Sequence, residues 1–528
     1  MSNLLTSKSS LQRPNRTALR DININDIFLF FICGAILVLI SDVPNNWSFI
    51  FYLARGILAL LLASTFILPK RLSLLVLLML AITGQDIVSF GNYGSEELGY
   101  ATASIWQMRI GPINPGALFF VCLFWQILRF KKVTVPPFVK IAILWFVTVP
   151  VITALCYKDL FSEHAGIEVI VDIKFALMLI GSIILFLSYY KRDPHYLYKA
   201  LAVFTGALLA RHLMDLVYVT ANVGPTIAEG VTRGSEDSAK GAVAFLLFLG
   251  LILVWKLKHP LLGIVIVISS TILLVTYGTR NLWITTILGF MMLILFLGLR
   301  RSFSFIIIGI VLLMMGIWSL YMVNPWSAEI VFARSKSLIA GSPAEKFSVF
   351  VDYNLISRID QVRYAQIFNV FDSLKRRYAL LWGTGYGGYY EDTIYPFPAE
   401  LKKGAFPEYS IETGKYYRTH QFTTHMILKH GLLGLICIVS LWFVPGFKLY
   451  KIFRHRDIFS QGQPMMLICM ILCVVAFLPT GMFQTFWSGK GLFINGLIIA
   501  SCMEFARHYP VVATSKTLQY TKSVIPRQ

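Results

Sequence analysis

Apolar residues along this chain fall into runs of about 17 to 25, the length that crosses a bilayer as a helix. The runs occupy 26–42, 47–68, 72–88, 115–130, 138–156, 168–189, 197–220, 240–256, 260–277, 281–299, 303–323, 422–445, 464–481 and 489–507. They predict twelve to fourteen spanning helices, because 115–130 is short and 47–68 joins 72–88 tightly at Pro69, Lys70 and Arg71. One long polar stretch, 324–418, interrupts the rhythm. Within it, Ile359, Val362, Ile367, Val370, Phe371 and Leu374 recur close to helical spacing. This predicts an amphipathic helix over 358–378 lying along a membrane surface. Lys375, Arg376 and Arg377 sit at its C-terminal end, where cations suit the helix dipole. The following 389–417 is rich in Pro, Gly, Tyr and acids and is expected to form an irregular lid.

Composition agrees with the pattern. Hydrophobic residues make up 56% of the chain and charged residues 14%, and the mean hydropathy is +0.68. This is a polytopic membrane protein and not a soluble domain. The formal net charge of +20 would suggest nucleic acid in a soluble protein, but no basic stripe interleaved with aromatics is present. The excess lies in alternate short connections instead: Lys70 and Arg71; Arg129, Lys131 and Lys132; Lys191 and Arg192; Lys256 and Lys258; Arg300 and Arg301; Lys448, Lys451, Arg454 and Arg456. The connections between these are poor in basic residues. The positive-inside bias then places the N-terminus in the cytoplasm and the long polar stretch outside, which in a bacterium is the periplasm. The expected organisation is a cytoplasmic tail (1–25), a bundle of about eleven helices (26–323), a large periplasmic loop (324–419), C-terminal transmembrane helices (420–508) and a cytoplasmic tail (509–528). No cleavage-type site follows the first apolar run, so it reads as a retained helix.

That topology removes several classes of function. No nucleoside triphosphate is available outside. The run Gly383, Thr384, Gly385, Tyr386, Gly387, Gly388 lacks the Lys-Ser/Thr of a phosphate loop and reads as a tight turn where backbone approaches something closely, or as a connector. No internal repeat with paired broken helices points to a transporter. All seven cysteines lie in or at the ends of apolar runs, so no disulfide framework is implied. Cys469 and Cys473 read as packing residues and not as a metal site.

Three residues share the outer level. Arg280 stands at the outer end of a spanning run, Arg358 opens the predicted surface helix, and His420 ends the long stretch. Arginine presents a planar fork suited to phosphate oxygens. Histidine near its ordinary pKa can take a proton from a hydroxyl. Together they suit a diphosphate at headgroup depth and a hydroxyl nucleophile. Each also has a plain structural reading: Arg280 as a snorkelling residue, Arg358 as a partner of Asp352 or Asp360, His420 as an interfacial histidine. His425 reads as a packing residue or a polar contact inside the bundle. Arg55 and the group Arg211, His212 and Asp215 place charge within apolar runs, where each costs roughly 2.5–3.5 kcal/mol at mid-bilayer. Arg211 and Asp215 can pair at a spacing of four, or Arg211 can contact ligand. Arg109, Lys490 and Arg418 are further candidates for phosphate contacts. Glu391, Asp392, Glu400 and Glu408 have no spacing that signals glycoside hydrolysis.

The segment from His420 and Gln421 to Gly431, Leu432, Leu433 and Gly434 resembles the histidine motif of the O-antigen ligase and polymerase superfamily. Ser357 and Arg358 before a helix, then Leu381 to Gly385, are similar to the family's preceding segment, and Gly278, Thr279 and Arg280 to its earlier Ser/Thr-Arg motif. The resemblance covers roughly 271–441. It departs at Lys429 and His430, where the family carries an acidic residue. It departs again at Val362, where an aromatic is expected and Tyr364 is displaced, so Arg363 competes with Arg358. The resemblance implies an all-helical membrane glycosyltransferase fold of the GT-C type and an undecaprenyl-diphosphate-linked glycan donor. It implies no nucleotide sugar, cofactor or required metal. Arg280 and Arg358 (or Arg363) would hold the diphosphate and His420 would be the base. The expected function is polymerisation of O-antigen or exopolysaccharide repeats at the inner membrane. The alternatives are ligation to lipid A core or protein, or a flippase for the same lipid.

Overall fold

A computed structural model describes residues 24–44, 47–84, 102–106, 116–130, 135–161, 165–193, 195–221, 243–254, 260–277, 280–297, 299–323, 358–397, 406, 408–419, 421–454, 464–475 and 489–508. Each predicted apolar run is helical among them. The helices are α1 (Ile24–Ser41), α2 (Ser48–Ser64), α3 (Lys70–Thr83), α4 (Ala117–Leu128), α5 (Pro137–Cys156), α6 (Ala165–Arg192) and α7 (His195–Ala221). Next come α8 (Val243–Val254) and α9 (Pro260–Tyr277), α10 (Arg280–Leu297) and α11 (Leu299–Val323). After the polar stretch come α14 (Phe422–Arg454), α15 (Pro464–Val475) and α16 (Gly489–His508), with α12 (Arg358–Arg376) and α13 (Glu408–Thr413) inside the stretch itself. Pro137, Pro260 and Pro464 each open a helix, where the missing N–H costs nothing and the fixed φ is already helical. Among the described residues, α1, α5, α6, α14 and α16 contain spans long and apolar enough to cross a membrane. This is the architecture of an α-helical membrane protein.

The helices sort into core and periphery. The span of α16 is 89% buried and that of α1 only 22%, so α16 lies within the bundle and α1 shows most of its apolar surface to its surroundings. α6 packs along α16, α7 along α1, and α5 along α14. Contacts between helix ends define two opposite faces. On one, Arg71 pairs with Asp193 at 3.2 Å, Tyr189 donates to the Lys70 carbonyl, and Arg129 donates to the Leu68 carbonyl at 2.9 Å. On the other, Arg211 pairs with Asp42 at 2.6 Å, and Lys490 donates to the Gly84 carbonyl at 2.9 Å. Lys70, Arg71, Arg129 and Arg192 thus share the basic face, as alternation of helix direction requires.

The polar stretch builds a cap on the second face. Its core comprises Ala365, Val370, Leu374, Ala379, Tyr390, Phe397, Phe406 and Tyr416, closed from below by Ile427 and Leu428 of α14. The expected irregular lid is more ordered than its composition suggests: Tyr390 and Tyr416 pair through reciprocal backbone hydrogen bonds of 3.1 and 2.9 Å, and α13 lies between them in sequence. The side of α12 turned to the cap core keeps the expected Val370 and Leu374 but is not uniformly apolar. Its buried side carries Ala365, Gln366, Asn369, Val370, Ser373 and Leu374, while Phe368 and Phe371 are exposed. The cause is hydrogen bonding. Asn369 donates to the Tyr395 carbonyl and accepts from the Ile394 and Tyr395 amides, and the Ser373 hydroxyl accepts from the Glu391 amide. Polar residues therefore occupy the buried face because they hold the loop that covers it.

Candidate functional site

The cap is fastened to the bundle by an exchange of backbone hydrogen bonds. α14 breaks at Gly431, whose φ of 66° and ψ of −173° are not helical. In an unbroken helix the amides of Leu432 and Leu433 would donate to the carbonyls of Leu428 and Lys429. Here they donate to Leu380 and Leu381 of the cap at 3.0 and 3.1 Å. The carbonyls they leave accept from the Thr384 and Gly385 amides at 2.7 and 3.0 Å. The glycine run thus fills the gap in the helix. It also docks on α5. Pro150 has no N–H for the Phe146 carbonyl, and the Tyr386 hydroxyl donates there at 2.7 Å. Gly385 fits because it lacks a side chain: a Cβ would lie 2.3 Å from the Pro150 carbonyl oxygen. The run is therefore a tight turn at a close backbone approach.

The same turn lies against a carboxylate on α6. Asp172 accepts from the Gly387 amide at 3.0 Å, pairs with Lys429 at 2.8 Å and bonds the His425 ring nitrogen Nε2 at 3.2 Å. Lys429 also donates to the Gly388 carbonyl at 2.6 Å. All three side chains are buried. One turn earlier, Glu168 takes two hydrogen bonds from the Arg418 guanidinium at 2.8 and 2.9 Å and one from the Tyr409 hydroxyl at 2.6 Å. Glu168 lies in the first turn of α6, where a negative charge suits the dipole. Burial works against the charge on Arg418, and Glu168 outweighs it, so the guanidinium is held above its ordinary value. At the cap edge, burial pushes the Asp159 carboxyl up, and the nearby Arg377 offsets part of this; the two pair at 2.9 Å.

The expected site residues fall into two groups. His420 lies outside the described residues, as do the side chains of Arg280, Arg358 and Arg363. Arg280 opens α10, and Arg358 opens α12. The structure therefore brings together only the surroundings of His420. Thr419 and Gln421 on either side are buried. The Thr419 hydroxyl donates across the intervening position to the Gln421 carbonyl at 2.7 Å. That carbonyl also accepts the His425 amide at 2.9 Å, opening α14. Arg418 and Arg211, two candidates for phosphate contact, each hold a carboxylate: Glu168 for the first and Asp42, just after the neighbouring α1, for the second. The Asp215 side chain lies outside the described residues. His425 makes a polar contact inside the bundle, and Cys469 and Cys473 are buried in the helical core.

Sequence reasoning passed over Glu168 and Asp172. The available signal was the cost of a carboxylate inside an apolar run, the same signal that drew attention to Arg55 and Arg211. No protein-family model matches this chain, and no curated protein does.

Proposed function

We propose that this protein is a lipid-linked glycan transferase of the inner membrane. It polymerises or transfers undecaprenyl-diphosphate-linked oligosaccharide on the periplasmic side. The observation that supports the reading is the set of polar contacts made by the residues before and after 420: Arg418 to Glu168, the Thr419 hydroxyl to the Gln421 carbonyl, and the His425 ring to Asp172. Arg280 and Arg358, with Arg363 as the competing choice, bind the diphosphate. His420 takes the proton of the acceptor hydroxyl as its oxygen bonds to the anomeric carbon, and the bond from that carbon to the diphosphate oxygen breaks. The acceptor is a second lipid-linked chain in a polymerase, and lipid A core or a protein hydroxyl in a ligase. The long cap favours polymerisation.

The test is complementation of a polysaccharide-deficient deletion strain with His420→Ala, its membrane level checked by blot. Loss of long chains, with single repeats still attached to acceptor, is the outcome expected of a polymerase. Loss of all attachment, with long lipid-linked chains accumulating, identifies a ligase. Normal glycan from a normally expressed variant overturns the assignment and favours the flippase.

A further inference from the structure

We propose that Glu168 and Asp172 are positioning residues that fix the two flanks of His420 from one turn of α6. The inference rests on the assignment of His420 above, but its geometry stands independently. On the N-terminal flank, two residues before position 420, the Arg418 guanidinium is clamped by both oxygens of Glu168. The Tyr409 hydroxyl occupies the same carboxylate, so α13 is tied to the clamp. On the C-terminal flank, five and nine residues on, His425 and Lys429 converge on Asp172. The described residues between these anchors also bond to one another. Thr419 bonds Gln421 across position 420, and the Gln421 side chain accepts the Thr424 hydroxyl at 2.8 Å.

The arrangement has the logic of a two-point mount. Residues four apart on a helix lie on one face, about one turn or 5.4 Å along the axis. Among the described residues, the cation hydrogen-bonded to Glu168 comes before position 420 and the one paired with Asp172 comes after it, while Arg418 also lies within electrostatic reach of Asp172. Loss of either one frees one flank while the other stays fixed. Displacement of about 1 Å in a reacting group can lower a rate by two orders of magnitude, so the mount acts on turnover without contacting substrate. Neither carboxylate is a catalytic residue.

The experiment pairs a chemical and a biological readout in the full-length protein. His420→Cys is introduced with the exposed Cys33 and Cys156 replaced by serine. The rate of labelling by a membrane-impermeant maleimide is then compared with and without Glu168→Gln. Surface glycan is measured in parallel for Glu168→Gln with His420 intact. The expected result, in variant protein shown to be folded at the assay temperature, is a change of about tenfold or more in labelling rate and a fall in glycan of about tenfold to a hundredfold. Glu168→Asp, which keeps the charge, restores glycan in part. Asp172→Asn alone leaves Lys429 as an unmatched buried cation, so the second arm uses Asp172→Asn with Lys429→Met. An unchanged labelling rate in both folded variants overturns the proposal whatever the glycan does. Altered labelling with normal glycan overturns the catalytic role of His420 while leaving the mount intact.

Discussion

At the scale of single residues, the strongest constraint is the buried pair of Asp172 and Lys429. Their side chains are 2% and 0% exposed, so neither charge has water to turn to if the other is lost. Removing one partner of such a pair costs about 3–5 kcal/mol, most of it from the charge left behind. Lys429→Met should therefore lower the thermal unfolding temperature of the detergent-solubilised protein markedly. The double variant with Asp172→Asn should recover most of the loss, because no net charge is then stranded. If the single and double variants melt alike, the pair does not stabilise the fold in this way. In the fold, the cation on α14 thus meets its carboxylate on α6.

At the scale of elements, the apolar helices were legible because a bilayer demands long apolar runs; among the described residues every such run is helical, and five of the helices are long and apolar enough to span. The face of α12 was only partly legible, since periodicity assumes that buried means apolar. Gln366, Asn369 and Ser373 are buried through hydrogen bonds to a loop far along the chain, and nothing local reports that. The break in α14 was only half legible. Gly431 marked a special position, but its left-handed φ and the loop that fills the gap are tertiary facts. The glycines can be separated by experiment. Gly414 has φ of 66° and open space around a would-be Cβ, so Gly414→Ala should cost roughly 1–2 kcal/mol from backbone conformation alone. Gly385→Ala adds a clash with the backbone of α5 and should prevent the cap from docking. Limited proteolysis of the two variants should show intact cap protection in the first and early cleavage within 358–419 in the second. Equal protection would mean that the close approach at Pro150 is not required.

At the scale of the whole molecule, the two faces carry different chemistry. One gathers the ends bearing Arg71, Arg129 and Arg192; the other carries the cap, and the proposed function requires that side to face the periplasm. In intact cells, Ile394→Cys in the exposed part of the cap should react with an impermeant maleimide, with Cys33 and Cys156 replaced by serine. Lys451→Cys at the far end of α14 should react only after permeabilisation. The reverse pattern would invert the topology and remove the outward site. The exchange of hydrogen bonds at Gly431 has a consequence for biogenesis. The cap is translated before α14, and α5 long before either. Until residues 380–385 dock, the carbonyls of Leu428 and Lys429 and the amides of Leu432 and Leu433 have no partners in the open form, and each such group costs several kcal/mol in lipid. α14 must therefore leave the translocon closed at Gly431 or meet a cap already waiting for it. In the second case insertion of this helix and folding of the cap form a single event, and a cap that misfolds strands the last three helices with it.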